Sequence, residues 1–250
     1  MKILGLDWVG TRTDHFRETT AFFEETLGLP VGVRREDFIR LDLPDSSAVE
    51  VFGPSDRDHP YFTTGPVVGF LVEDLEAARH DLTRHRVELL GPIGGEAGSV
   101  RWQHFRAPDG NVYEIVEHPG RRSLGPPAGP LGITHLAWVG TRTVQYEATL
   151  AFFGKVLDLP EAEELPELVE YRLPDGAAVE VFLPGTVMDH PHFTTGPVPG
   201  FGVKDLDVAV SELRARHLRL LGLKLGASGG WAHFRAPDGC VYEVKGPRSA

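Results

Sequence analysis

The chain has 250 residues, 41% hydrophobic and 24% charged, with 36 acidic against 25 basic side chains and a formal net charge of -11. That is the make-up of a globular protein with room for two ordinary domains, and a poor one for gripping a phosphate backbone. One cysteine, Cys240, allows no internal disulfide and no thiolate cluster for zinc.

In chain order, an alternating strand is expected over Ile3 to Val9, then a helix from about Asp14 to Leu27 with Phe16, Thr20, Phe23 and Leu27 on one stripe and Thr13 or Asp14 as N-cap. Short strands follow around Phe38 to Leu43 and Val49 to Phe52, split by the Pro44-Asp45 turn. A strand over Val67 to Val72 leads into a helix carrying Leu75, Ala78 and Leu82. Strands near Val100 to Arg106 and Asn111 to Val116 then meet at Pro108-Asp109-Gly110. The Gly-rich stretches Gly91 to Gly98 and Gly222 to Gly230 lack phosphate-loop spacing and are expected to be loops. No apolar run is long enough to span a membrane, and Asp7 and Arg12 follow Met1 too closely for a signal peptide. No membrane or nucleic-acid partner and a cytoplasmic location are therefore expected.

The whole pattern occurs twice. Trp8-Val9-Gly10-Thr11-Arg12-Thr13 recurs from Trp138, Ala48-Val49-Glu50-Val51-Phe52 from Ala178, Asp58-His59-Pro60 from Asp189, and His104-Phe105-Arg106-Ala107-Pro108-Asp109-Gly110 from His233. Repetition at four places in the same order means duplication. His118 to Pro130 is rich in Pro and Gly and reads as a linker. The expected boundaries are a first domain over 1–118 (modules 1–60 and 66–118), a linker over 119–130, and a second domain over 131–246 (modules 131–188 and 197–246). Each module is βα followed by two or three antiparallel strands.

Ala21-Phe22-Phe23 through Leu29, and Pro108-Asp109-Gly110-Asn111-Val112-Tyr113-Glu114, together with their copies at Ala151 and Pro237, resemble the two signatures of the vicinal oxygen chelate superfamily of glyoxalases, bleomycin-resistance proteins and extradiol dioxygenases. The resemblance implies an α+β fold: four βαβββ modules in two tandem domains, each a curled antiparallel sheet, or cup, with helices outside. It also implies that any metal is held by the first and last strands of paired modules.

Period-two alternation puts Leu4, Leu6 and Trp8 on one face of the first strand, with Gly5, Asp7 and Val9 opposite; the copy sets Leu136 and Trp138 against His135, Ala137 and Val139. Glu50 and Glu114, with Gly5 and Val67, would then line an N-terminal cup, and His135, Glu180 and Glu243, with Val198, a C-terminal one. One imidazole and two carboxylates suit a divalent metal (Fe, Mn, Zn or Ni), with Glu180 or Glu243 as general base. Val198, where the resemblance implies a second histidine, counts against it. Arg12 and Arg142 at the rim could hold an anionic group of a ligand. His59 and His190 could face a cup mouth, His190 and His192 could chelate, and His104 and His233 beside Trp102 and Trp231 could stack on a planar ligand. The expected function is binding, even sequestering, a small organic molecule by a monomer or homodimer; the alternative is a metal-dependent lyase, isomerase or oxygenase in the C-terminal cup.

Overall fold

The computed structural model describes residues 1–121, 126–165 and 167–249; the stretch 122–125 of the expected linker lies outside them. The first module runs β1 (Ile3–Arg12), α1 (Phe16–Ala21), β2 (Val31–Arg35), β3 (Phe38–Asp42) and β4 (Ala48–Phe52). The second runs β5 (Val67–Val72), α2 (Leu75–Arg84), β6 (Glu88–Gly94), β7 (Arg101–Arg106) and β8 (Val112–Glu117). The third repeats the first: β9 (Ile133–Arg142), α3 (Tyr146–Ala151), β10 (Glu161–Leu165), β11 (Leu168–Arg172) and β12 (Ala178–Phe182). The fourth repeats the second: β13 (Val198–Val203), α4 (Leu206–Ala215), β14 (Arg219–Leu225), β15 (Gly229–Arg235) and β16 (Val241–Pro247).

Local chemistry explains most of these elements. Asp74 and Asp205 cap α2 and α4, each carboxylate accepting from the backbone N–H three residues on, and Leu75, Ala78 and Leu82 are buried as their spacing requires. Thr13 Oγ1 accepts from the His15 amide, at 3.0 Å, ahead of α1. The first helix then widens into a π turn over Phe22–Thr26, and α3 does the same over Phe152–Val156. The extra residue in that turn lets two consecutive phenylalanines, Phe22 and Phe23, both pack inward. The Gly-rich stretches are not wholly loops. β6 and β14 reach into them and hydrogen-bond to β7 and β15, because a hairpin partner satisfies their backbone whatever the side chains are.

Among the described residues, sixteen strands form two eight-stranded mixed sheets. One has the order β14-β15-β16-β13-β1-β4-β3-β2, the other β10-β11-β12-β9-β5-β8-β7-β6. Module one therefore joins module four, and module two joins module three. The α+β class, the βαβββ modules and the curled sheets are as expected. The grouping of corners is not: neither cup is built from one repeat. The cup of modules one and four is called outer below, and that of modules two and three inner, by their order in the chain.

The expected facing of the first strand is corrected too. Leu6 pairs with Phe201 and Trp8 with Gly200, so Asp7 is an extra residue in a β-bulge; Ala137 is its counterpart between Leu136 and Trp138. Across a bulge the alternation changes phase. Leu6 and Val9 therefore both face the helix-covered core, and Trp8 turns into the cup. Gly10 and Gly140 make this feasible: a Cβ there would lie 2.1 Å and 1.9 Å from the indole of Trp8 and Trp138.

The duplicated Thr-Thr-Gly-Pro segments cross one another between the sheets. A Cβ on Gly65 would lie 1.8 Å from the Pro197 carbonyl oxygen, and one on Gly196 would lie 1.9 Å from that of Pro66. Nearby, the Val112 amide donates to Thr195 O and the Val241 amide to Thr64 O, so each crossover, on entering one sheet, stays pinned to the sheet it has left.

Candidate functional site

Strand register builds each cup floor as a row of side chains. In the outer cup Ala48, Trp8, Gly200, Glu243 and His233 lie side by side across β4, β1, β13, β16 and β15. In the inner cup the row is Ala178, Trp138, Gly69, Glu114 and His104. Glu50 and Glu180 stand one level away, opposite Gly10 and Gly140.

The proposed metal trio does not assemble. Glu243 is in the outer cup, while Glu180 and His135 belong to the other sheet. Within that sheet Glu180 is level with Gly140, five residues beyond His135, or about 16 Å at the rise of a strand. His135 instead sits against Thr134 Oγ1, 3.0 Å from its Nδ1. Glu50 and Glu114, expected in one cup, line opposite ones, as do His59 and His190. Val67 and Val198 likewise change places. At the strand positions where the fold family implies a metal, both cups present tryptophan, glutamate and valine without an imidazole. That donor set does not fit a transition ion.

The rim arginines are tied to the crossover loops. Arg12 donates to the carbonyls of Pro54 and Asp56. Arg142 grips the Asp189 carboxylate with two guanidinium nitrogens, and that bond holds the Asp189 pKa down at about 2. Neither guanidinium lines a cup.

The floor carboxyls are buried, and burial, which penalises the charged form, raises their pKa values. Glu243 rises to about 8. Glu180 also rises to about 8, with repulsion from Glu114 and Glu170 adding to desolvation and the Trp138 indole N–H opposing it. Glu114 is pushed well above the usual range, and Glu50 upward to a lesser degree. Near neutral pH the expected general bases Glu180 and Glu243 are therefore mostly protonated. Burial pushes the neighbouring imidazoles the other way, to about 3 for His104 and His233 and about 4 for His190 and His192. His104 Nε2 stands 3.0 Å from Glu114, and His233 Nε2 stands 2.9 Å from Glu243, yet neither nitrogen makes a hydrogen bond.

The two cups differ in character. The outer one is a cavity of about 760 Å³ whose walls carry Arg35, Arg40, Lys224 and Lys245. The inner one, about 250 Å³, is walled by Leu168, Phe182, Met188, Trp102 and Val116, with Arg121 and Arg172 at its edge. His104, His190 and His192 come together beside the inner cup and could hold a metal ion. Sequence reasoning left His104 without a facing. The signal was present in Phe105, which has to meet the core and so turns His104 toward the cup.

No helix among the described residues is long and apolar enough to cross a membrane. The family model described as Glyoxalase/Bleomycin resistance protein/Dioxygenase superfamily matches residues 5–115. Among solved structures, a candidate dioxygenase from Bacillus subtilis is 16% identical, with a TM-score of 0.73 over 100% of this chain and 87% of its own. Glyoxalase I from Zea mays is 16% identical, with a TM-score of 0.64 over 96% and 92%. At such identities the likeness speaks for the fold. No curated protein matches. Residues 5–115 thus match the glyoxalase/bleomycin resistance protein/dioxygenase superfamily, the second repeat carries the same motifs on the same elements, and the whole chain shares the tandem two-domain fold of these two structures.

Proposed function

We propose that the chain binds a small organic molecule in the inner cup and holds it without converting it. The observation that carries this reading is the floor chemistry: Glu114 and Glu180, kept protonated by burial, under walls of Leu168, Phe182 and Met188. A protonated carboxyl offers one O–H donor and no charge. The cup therefore suits a flat, largely apolar molecule with a carbonyl or ether oxygen. Its volume of about 250 Å³ is that of a compact ligand. The alternative of a lyase, isomerase or oxygenase built on a divalent metal (Fe, Mn, Zn or Ni) at His135, Glu180 and Glu243 has less support, since those three residues do not meet.

Aromatic ketones and quinones, screened by thermal shift and by quenching of Trp102 and Trp138 emission, are expected to yield binders recovered unchanged. Glu180→Ala should weaken binding about tenfold, the loss of one hydrogen bond to a buried group, and Glu243→Ala should leave it unaltered. Chemical conversion of the bound compound, or equal loss in both variants, would overturn the proposal.

A further inference from the structure

We infer that His104, His190 and His192 form a three-imidazole site for a divalent first-row transition ion, opening onto the inner cup. This site is separate from the strand positions at which the fold family implies a metal. It draws one ligand from β7 and two from the crossover loop that joins modules three and four, and it stands independently of the organic-ligand reading.

The geometry comes first. One ring nitrogen from each residue lies within 4.8 Å of the other two. The ring centroids of His104 are 5.1 Å from His190 and 4.8 Å from His192, and the two loop histidines are 5.6 Å apart. Tetrahedral coordination at about 2.0–2.1 Å per nitrogen needs nitrogens roughly 3.4 Å from each other, so a closure of at most about 1.4 Å suffices. His190 and His192 can supply that by side-chain rotation, because they sit outside any helix or strand.

The second observation is independent of the spacing. Nε2 of His104 and Nε2 of His192 are both buried and make no hydrogen bond. His104 itself is only 3% exposed. Its Nε2 is 3.0 Å from Glu114 Oε2, but in a direction that misses hydrogen-bond alignment. Buried polar nitrogens without partners are uncommon and call for a ligand. A metal ion would satisfy both at once.

The outer cup is an internal control. There the corresponding residues are His233, His59 and Tyr61. The Tyr61 hydroxyl takes up Nδ1 of His233 at 3.0 Å, and Asp56 holds Nδ1 of His59 at 3.1 Å. His233 Nε2 is also without a hydrogen bond, but a phenol stands where the third imidazole would be. In the inner cup the aspartate beside His190 is occupied by Arg142, which leaves the His190 ring free of it. Two exchanges, Tyr61 against His192 and Asp56 against Val187, thus separate a closed polar cluster from a chelating one. Three imidazoles suit Zn²⁺, Ni²⁺, Co²⁺ or Cu²⁺. His104 and His190 line the cavity, so the fourth coordination position faces it and is open to a small oxygen donor.

The test uses the full chain, stripped by a chelator and titrated with Co²⁺ alone. One equivalent is expected, with the visible d–d bands of a low-coordinate ion, displaced by Zn²⁺. His192→Tyr, which gives the inner cup the residue of the outer one, should weaken Co²⁺ binding about a hundredfold or more while the metal-free melting temperature stays unchanged. Absence of binding in the unmutated chain, or binding that survives His192→Tyr, overturns the inference. Should that variant fold poorly, ¹⁵N imidazole resonances of the unmutated chain decide. Zn²⁺ is expected to shift those of His104, His190 and His192, and shifts confined to other histidines refute the site.

Discussion

The buried glutamates and histidines of the floors give the molecule a calculable response to pH. Folded Glu180 and Glu243 titrate near 8, against 4.5 for an ordinary glutamate. Between those values the folded chain holds protons that the unfolded chain has released, so raising the pH favours unfolding until about 8 is passed. The imidazoles have the opposite sign. They stay neutral down to about 3 or 4 when folded and take up protons below 6.5 when unfolded, so their contribution to stability is lost as pH falls below 6.5. Above pH 6.5 only the carboxyls are active. The melting temperature is therefore expected to fall from pH 6.5 to pH 8, and the Glu180→Gln/Glu243→Gln double variant should flatten that limb; an equally steep limb in the variant would refute the assignment. These glutamates were legible because each stands between apolar residues that have to face the core, Val179 and Val181 or Tyr242 and Val244. The partners of the rim arginines were not legible, because position at the end of a strand says nothing about which loop a long side chain will reach, and both reach the crossovers.

At the level of the element, the strand that opens each repeat shows how a local irregularity defeats a regular pattern. Alternation assigns Trp8 to the core, and the bulge at Asp7 moves it into the cup. The trace left in sequence is the Trp-x-Gly spacing, which is explicable only when the indole is seen lying across Gly10 or Gly140. Gly140→Ala, whose Cβ would meet Trp138 at 1.9 Å, should cost about 1–3 kcal/mol in denaturant unfolding and shift the tryptophan emission. Unchanged stability would mean that the indole moves freely. The Pro-Asp-Gly signature is likewise structural. Asp109 accepts from the Asn111 amide and from the buried Tyr113 hydroxyl at 2.8 Å, and Asp238 does the same for Cys240 and Tyr242. The motif that identifies the fold thus ties a turn to a core tyrosine two residues into the next strand, and touches neither cup.

For the whole molecule, module number, module order and sheet curvature could be read from the sequence, while the choice of partners could not. Duplication is the reason. β1 meets β13 much as β9 meets β5, and modules two and four present near-equivalent edges, so no side chain distinguishes pairing within a repeat from pairing between repeats. The same equivalence yields a prediction. Residues 1–118 produced alone would expose two sheet edges of matching chemistry, and should satisfy them by pairing module one of one copy with module two of another. Light scattering is expected to report a homodimer, and a folded monomer would contradict the pairing scheme.

The nested pairing also orders events in time. Modules two and three are consecutive, so the inner sheet needs only residues 67–182 before it can close. The outer sheet is closed by the pairing of β1 with β13, at opposite ends of the chain, and that edge of β1 has to remain unpaired across the intervening sequence. Long-range pairings form slowly and leave edges exposed meanwhile. During synthesis the inner cup is thus competent first, and the first module emerges from the ribosome before its partner exists. It waits, with one edge of β1 unpaired, for the chain to return.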